Sequence, residues 1–558
     1  MTVADPGTGT QFNLWKVFET VAGQAPEAEV LVWGGRRLTY ADMAQRARRL
    51  ASYLAGRGLG LRTDRAELAG HQSGQDHVAL ALYNSNEYLE GMLGSYRARL
   101  APFNVNYRYV GAELEYLLTD ARPGAVIYHA ALAPELGPVL ERLERPPDVL
   151  LQVADQSGHD LLAGAVDYET ALGQGDPEGP ARDPSPDDLY ILYTGGTTGM
   201  PKGVLWRQHD IFMAAMGGRR VATWEQLASY EQVAARAAAG SGVRVLLVPP
   251  LMHGAAQWTA FYFMIDRATL VLPDDPRHAR PDDLWRTIER ERVVGMTVVG
   301  DSMVRPLLDE LDRHPYDTSS LLVLGSGGAP LTPGLRQRLH DRLPALVVTD
   351  TGGSSETGIQ MQTVVSTEDR AGTFSPGPGT TVLTAGLEAV AEPGHAEPGW
   401  LAQSGWVPLG YLDDPDKTAA TFPVVGGVRY SVPGDRARLL ADGRVELLGR
   451  DSVTVNSGGE KIFVEEVEAA LADHPAVADV VVTGRPSERW GQEVVAIVAL
   501  ADGRTATADE LIEHASARLA RYKLPKAVVF VPGVVRSPSG KADYRWAGRQ
   551  ASASSVAP

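Results

Sequence analysis

The residues best suited to chemistry lie in one run, Thr194-Gly195-Gly196-Thr197-Thr198-Gly199-Met200-Pro201-Lys202-Gly203. Glycines let backbone N–H groups turn toward an anion, threonine hydroxyls add donors and Lys202 adds a positive charge, so the run suits phosphate. A polar turn is the plain alternative. The phosphate loop of kinases and GTPases is excluded, because it needs Gly-Lys-Ser/Thr contiguous at the start of a helix. Here Met200-Pro201 separates Gly199 from Lys202. Two more glycine-rich runs, Gly325-Ser326-Gly327-Gly328-Ala329-Pro330 and Asp350-Thr351-Gly352-Gly353-Ser354-Ser355-Glu356-Thr357-Gly358, each follow a short apolar stretch. Either alone reads equally well as a turn. Three such loops at the carboxyl ends of strands suggest one extended nucleotide crevice.

The elements that must hold these loops follow from periodicity. Leu189 to Tyr193 reads as the buried strand that delivers the first loop. Before it come strands at His77 to Leu82, Pro102 to Val105 and Gly124 to Tyr128, separated by helices at Asn86 to Leu100 and Ala112 to Ala121. A helix opens at Thr39, a plausible cap, with Met43, Ala47, Leu50 and Leu54 on one face, and the chain ahead of it reads as a loose start. A second alternating set has strands at Val243 to Val248, Thr269 to Leu272, Met296 to Val299, Leu321 to Leu324 and Leu346 to Thr349, with a helix over Asp282 to Arg292. Trp224 to Ala239 reads as an exposed helix between the sets. Alternation at these lengths predicts an α/β chain whose parallel sheets are covered on both faces, doubly wound.

After about Ser366 glycine and proline become frequent and a hairpin forms around Asp442-Gly443, which predicts a β-rich layer. Past Arg450 come a helix at Val464 to Ala472, strands at Ala478 to Val482 and Val494 to Ala499, a helix from Ala508 with Thr507 and Glu510 at capping-box spacing, and a strand at Ala527 to Val531. This is a small α+β domain, so the chain divides into residues 1–449 and 450–558. The Ala/Ser-rich end from Ala547 reads as frayed.

Composition bounds the function. A chain of 558 residues exceeds one core. The formal charge of -17 opposes binding to nucleic acid or an anionic membrane. With no cysteine there is no disulfide, thiol nucleophile or thiolate metal site. Neither a signal peptide nor a run of ~20 apolar residues is present, which makes a cytoplasmic protein the expectation. The histidines show no metal pairing at helical spacing and no Gly-x-Ser-x-Gly elbow occurs, so zinc and serine-hydrolase chemistry fall away.

In order along the chain, these loops, Tyr430-Ser431-Val432-Pro433-Gly434-Asp435, Arg450 and Ser537-Pro538-Ser539-Gly540-Lys541 resemble the AMP-forming acyl-CoA synthetases of the adenylate-forming superfamily. The likeness leaves out only the two ends. It is nearest to the branch acting on fatty acids and steroid side-chain acids, through Asn104-Val105-Asn106-Tyr107-Arg108-Tyr109, Pro250-Leu251-Met252-His253-Gly254 and Asn456-Ser457-Gly458-Gly459-Glu460-Lys461.

The resemblance implies roles. Thr194, Gly195, Gly196, Thr197, Thr198, Gly199 and Lys202 would hold the ATP triphosphate, and Thr194 with Glu356 would hold Mg²⁺. Gly327, Gly328 and Ala329 would line the adenine, Asp350 would meet its amino group, and Ser355 stands where the family often has threonine. Gly352 departs from the pattern, since many members carry there an aromatic ring stacked on adenine. Asp435 would bind the ribose hydroxyls, and Arg450 would add a ribose or phosphate contact and mark the hinge. The hinge aspartate or lysine of the family is Ser452 here, beside Asp451. Lys541 would be the catalytic lysine of a mobile small domain, bridging the attacking carboxylate and the α-phosphate. Gly458 and Gly459 would let the pantetheine arm of CoA approach the backbone. His253 and Trp258 would stand near the acyl channel, although a hydrogen-bonded core histidine and a core tryptophan fit those two residues as well.

The implied activity uses a carboxylic acid, ATP and CoA and gives acyl-CoA, AMP and pyrophosphate. An adenylating enzyme that loads a carrier protein or stops at acyl-AMP is the second reading, and a nucleotide-binding protein without catalysis the third. A homodimer stays open.

Overall fold

The computed structural model describes residues 9–194, 200–328, 331–364, 372–395, 397–450, 453–457, 460–487, 491–517, 519, 521–536 and 540–553. Gly195, Gly196, Thr197, Thr198, Gly199, Ala329, Asp451, Ser452, Gly458 and Gly459 lie outside the described residues.

The first sheet has eight strands, in the order Gly410–Tyr411, Lys202–Arg207, Leu189–Thr194, Ala101–Asn104, His77–Ala81, Pro123–His129, Val149–Val153, Ala165–Asp167. From Leu189–Thr194 onward the pairings are parallel. All five residues of His77–Ala81 are buried, as a strand with helices on both faces must be. Helix Asn86–Arg97 lies against that strand, and packed on this helix in turn is the helix Tyr40–Gly56. Thr39 and Asp42 close a capping box at its start, and Met43, Ala47, Leu50 and Leu54 turn inward.

The second sheet carries a parallel run, Glu29–Trp33, Thr269–Leu272, Arg244–Leu247, Gly295–Val298, Val323–Gly327 and Val347–Ser354. It turns antiparallel at Gly358–Val364 and continues into the β-rich layer through Thr373–Pro376 and the hairpin Asp435–Leu439 / Val445–Arg450. A third sheet of five strands, with its own core around Val480, Val482, Val494 and Ala496, holds the C-terminal region.

The structure corrects the sequence reading in four places. The start, read as loose, contains the helix Leu14–Gln24, capped by Asn13 and burying Leu14, Trp15, Val17, Phe18 and Val21. The helix expected from Trp224 begins only at Tyr230, capped by Ser229, because Trp224 sits at φ +59 and cannot belong to a right-handed helix. The glycine-rich runs after Leu324 and Thr349 are not loops in their first halves. Their residues stay in strand through Gly327 and Ser354, where backbone pairing in the sheet interior overrides the weak strand preference of glycine. The C-terminal end is the helix Tyr544–Ala553, whose Ala547 and Ala551 are buried against Val481, Val495 and Ile497.

Candidate active site

The strand Leu189–Thr194 and its antiparallel partner Lys202–Arg207 form a hairpin whose last register pair is Thr194 with Lys202. The phosphate-type run therefore springs from a rigid base. Buried Asn104 fastens that base: its Nδ2 donates to the carbonyls of Tyr193 (2.8 Å) and Met252 (2.7 Å), and its Oδ1 accepts from the Tyr193 N–H (2.8 Å). One side chain thus ties the hairpin to the turn that carries His253. Asn84 holds the same turn, accepting from Leu251 N–H at 2.6 Å and donating to the Pro249 carbonyl at 3.2 Å.

Lys202 pairs with Asp414, and its ammonium lies 5.9 Å from the ring centre of Tyr411. Gly410–Tyr411 is added to the free edge of Lys202–Arg207, which brings the Tyr411 hydroxyl to Glu356, where it donates to Oε1 at 2.9 Å. Burial, with the adjacent Glu356 charge, drives the Tyr411 phenol far above its ordinary pKa, so it remains a donor. Glu356 sits in the tight turn between Val347–Ser354 and Gly358–Val364. Its carbonyl accepts from Ser431 Oγ at 2.6 Å, and the Ser355 carbonyl accepts from Trp206 Nε1 at 2.9 Å. The turn is held from three strands.

Ser326 and Gly327 lie in register with Asp350 and Thr351, so two of the glycine-rich runs are neighbours. Gly327 has little room for a side chain, since a Cβ there would stand 2.9 Å from Thr351 Oγ1. Asp350 is buried with its carboxylate 4.0 Å from the guanidinium of Arg336. Burial pushes its pKa up to about 6, and Arg336 opposes the rise. At Gly352 the space is filled: a Cβ would lie 2.5 Å from Met361 Cε and 2.8 Å from its Cγ. Any side chain at 352 would have to displace the cross-strand Met361.

Asp435 follows Gly434, which adopts φ +107, and faces Arg450 across the hairpin, with Arg450 Nε donating to Asp435 Oδ1 at 3.1 Å. Lys541 comes from the C-terminal region, yet its ammonium feels Arg450, Glu356 and Asp435. Its side chain keeps solvent-accessible surface, while the protein crowding its ammonium lowers its pKa. Arg450 adds to that fall and the two carboxylates oppose it. Charged groups from the second sheet, the β-rich layer and the C-terminal region thus lie within electrostatic reach of one another.

The sequence profile of the family described as "AMP-binding enzyme" matches residues 18–397, and that of the "AMP-binding enzyme C-terminal domain" matches 466–541. The chain belongs to the AMP-binding enzyme family. This AMP-binding enzyme is 57% identical over 545 residues to a medium-chain acyl-CoA ligase, Mig, of Mycobacterium avium, covering 98% of this chain and 99% of that protein. It is 40% identical to a 3-oxocholest-4-en-26-oate–CoA ligase of Rhodococcus rhodochrous, covering 96% and 95% of the two chains. In fold it matches the crystal structure of the anthranilate CoA ligase AuaEII in complex with anthranoyl-AMP, with a TM-score of 0.83 at 19% identity over 99% of this chain and 100% of that one.

His253 precedes the helix Gly254–Met264, and its Nε2 is buried without a hydrogen-bond partner among the described residues. Burial, then the positive charges of Lys541 and Arg108, lower its pKa to about 4, so the imidazole is neutral at pH 7. Trp258 is buried in the main hydrophobic core beneath that turn. Sequence reasoning missed Asn84, Tyr411 and Asp414, and it quoted Asn104 without a role. Asp414 carries a local signal as the cap of helix Pro415–Thr421, but the contact each of these residues makes in the site reaches a segment more than 50 positions away. Among the described residues no helix is long and apolar enough to cross a membrane.

Proposed function

We propose that this enzyme joins a carboxylic acid to CoA in two steps, using ATP. In the first, a carboxylate oxygen attacks the α-phosphorus, the bond to the β,γ-phosphates breaks, and acyl-AMP and pyrophosphate form. In the second, the CoA thiolate attacks the acyl carbonyl and AMP leaves. The observation that carries the reading is the Arg450–Asp435 pair, joined at 3.1 Å, which with Glu356 acts on the charge of the Lys541 ammonium. A lysine brought from a separate C-terminal sheet to a pair of carboxylates suits a reaction between two anions, because a cation between acid and α-phosphate offsets their repulsion.

The other roles follow from donor chemistry. Thr194 and Lys202, with residues 195–199 between them, restrain the pyrophosphate end of ATP. Asp435, an acceptor-only carboxylate, takes the two adjacent ribose hydroxyls. Gly327, Gly328, Ala329 and Asp350 border the adenine. The hydroxyl of Thr194 and the carboxylate of Glu356 are the hard oxygen donors magnesium accepts, and they would hold it. When bound, that ion offsets phosphate charge. Neutral His253 and the wall near Trp258 adjoin the acyl group, and Gly458 with Gly459 receives the CoA arm after the region 450–558 turns about Arg450 against 1–449. We place the reaction in the cytoplasm, where ATP and CoA are supplied.

The acid is a medium-chain fatty acid or a steroid side-chain acid. Support comes from the relatives named for these substrates. Each buried CH₂ contributes ~0.8 kcal/mol, enough for an apolar channel to select by length. A screen of pyrophosphate release over fatty, steroid and aryl acids, with products identified by mass, tests the proposal. Acyl-CoA from a fatty or steroid acid supports it. Acyl-AMP accumulating in the presence of CoA would instead favour the carrier-protein or adenylate-only reading.

A further inference from the structure

Lys541 must be presented to the crevice by backbone that does not wander, and the C-terminal region contains a device for this. Arg536 spreads its guanidinium over Asp479 as a fork, with Nε donating to Oδ2 at 2.8 Å and Nη2 to Oδ1 at 2.6 Å. Three N–H donors remain, and two of them find carbonyls. Nη2 also reaches the Val480 carbonyl at 3.2 Å, and Nη1 donates to the carbonyl of Gly540, the residue before the lysine, at 3.2 Å. Asp479 stands at an irregularity in the pairing of Val477–Ser487 with Gly491–Leu500, where the strand departs from simple register. Arg536 and Ala542, which bracket the lysine, form an isolated antiparallel bridge. Gly540 itself adopts φ +73, a conformation other residues rarely take.

We infer that Arg536, fixed by Asp479, is a positioning residue that sets the direction of Lys541 for adenylation by anchoring the Gly540 carbonyl. The planar fork matters. A carboxylate binds guanidinium through two parallel bonds, which leaves the remaining N–H groups aimed in known directions. An ammonium cannot do this, so lysine at 536 would keep the charge and lose the geometry. The alternative is a part-exposed ion pair that only steadies the C-terminal sheet, and such pairs contribute little. The two roles predict different kinetics. The inference rests on reading Lys541 as the adenylation lysine.

The test compares R536M, R536K, K541A and R536M/K541A in the full chain, measuring acid-dependent pyrophosphate release and, separately, thioester formation from supplied acyl-adenylate and CoA. A misplacement near 1 Å costs about 10²-fold. R536M should therefore lower kcat for pyrophosphate release about 10²-fold with the KM of ATP and of acid unchanged. R536K should fall with it, and thioester formation should stay at the wild-type rate. Adding R536M to K541A should slow adenylation no further. Loss of both half-reactions in proportion, or additive effects in the double variant, would show a merely structural role and overturn the inference. So would wild-type kcat in R536M while K541A is crippled. If K541A itself releases pyrophosphate at full rate, the lysine reading fails, which is a distinct outcome. Should R536M not fold, D479N loosens the same fork from the other side, and unchanged kcat there overturns the inference equally.

Discussion

Replacing Tyr411 by phenylalanine removes one hydroxyl from the site and leaves the ring. The ring is buried, packs on Phe422 with centroids 5.9 Å apart and lies beside the Lys202 ammonium, so all of that survives the change. The 2.9 Å donation to Glu356 Oε1 is lost, and with it the side-chain contact of the phenol oxygen with Thr421. A hydrogen bond to a charged group contributes about 1.5–3 kcal/mol, which corresponds to roughly a 10- to 150-fold change in rate. If Glu356 holds the metal–nucleotide complex, the loss should appear in kcat/KM for ATP in the pyrophosphate-release assay, together with a higher magnesium requirement. Manganese titrated into the protein with ATP and followed by its spin-resonance signal gives a readout independent of turnover. Thioester formation from supplied acyl-adenylate should not change. Adenylation within about twofold of wild type, at unchanged magnesium dependence, would refute the reasoning that Tyr411 orients Glu356.

Two further predictions follow. Gly352→Tyr should destabilise the protein by about 1–3 kcal/mol in chemical denaturation, because the new Cβ meets Met361, and M361A should restore much of that loss. An unaltered midpoint would mean that the site at 352 is open after all. Glu465 accepts the Arg450 N–H, and burial raises its pKa from 4.5 to about 7. With the folded pKa above the unfolded one, the native state binds the extra proton, so stability falls as pH rises from about 4.5 to 7, and the penalty is full above that window. Glu465→Gln should therefore be more stable than wild type at pH 8, by up to about 3 kcal/mol, and equal to it near pH 4. Equal stability of the two proteins at pH 8 would contradict the buried-carboxyl account.

Much of the fold is legible in the chain because its signals are local. Thr39 and Thr507 announce helix starts through their capping partners, and the hairpin at Asp442-Gly443 is written in its turn residues. Helix Gly254–Met264 escapes such reading because it is apolar around its whole circumference, which removes the period that marks a surface helix. The strands through Gly325, Gly327 and Gly352 escape because glycine marks loops in sequence and close packing in sheets. The site divides in the same way. The motif residues Thr194, Glu356, Asp435 and Lys541 are visible from their runs. The clasps that hold their neighbourhood, Asn104 on Met252, Tyr411 on Glu356 and Asp414 on Lys202, exist only once distant segments meet.

Lys541→Ala, followed in single turnovers of the two half-reactions, tests the account most directly. One charge pair at ~4 Å and an effective dielectric of ~20 amounts to ~4 kcal/mol, about a thousandfold in rate. Acid-dependent pyrophosphate release should fall by about that factor, while supplied acyl-adenylate is still converted to acyl-CoA. Pyrophosphate release at the wild-type rate would contradict the account.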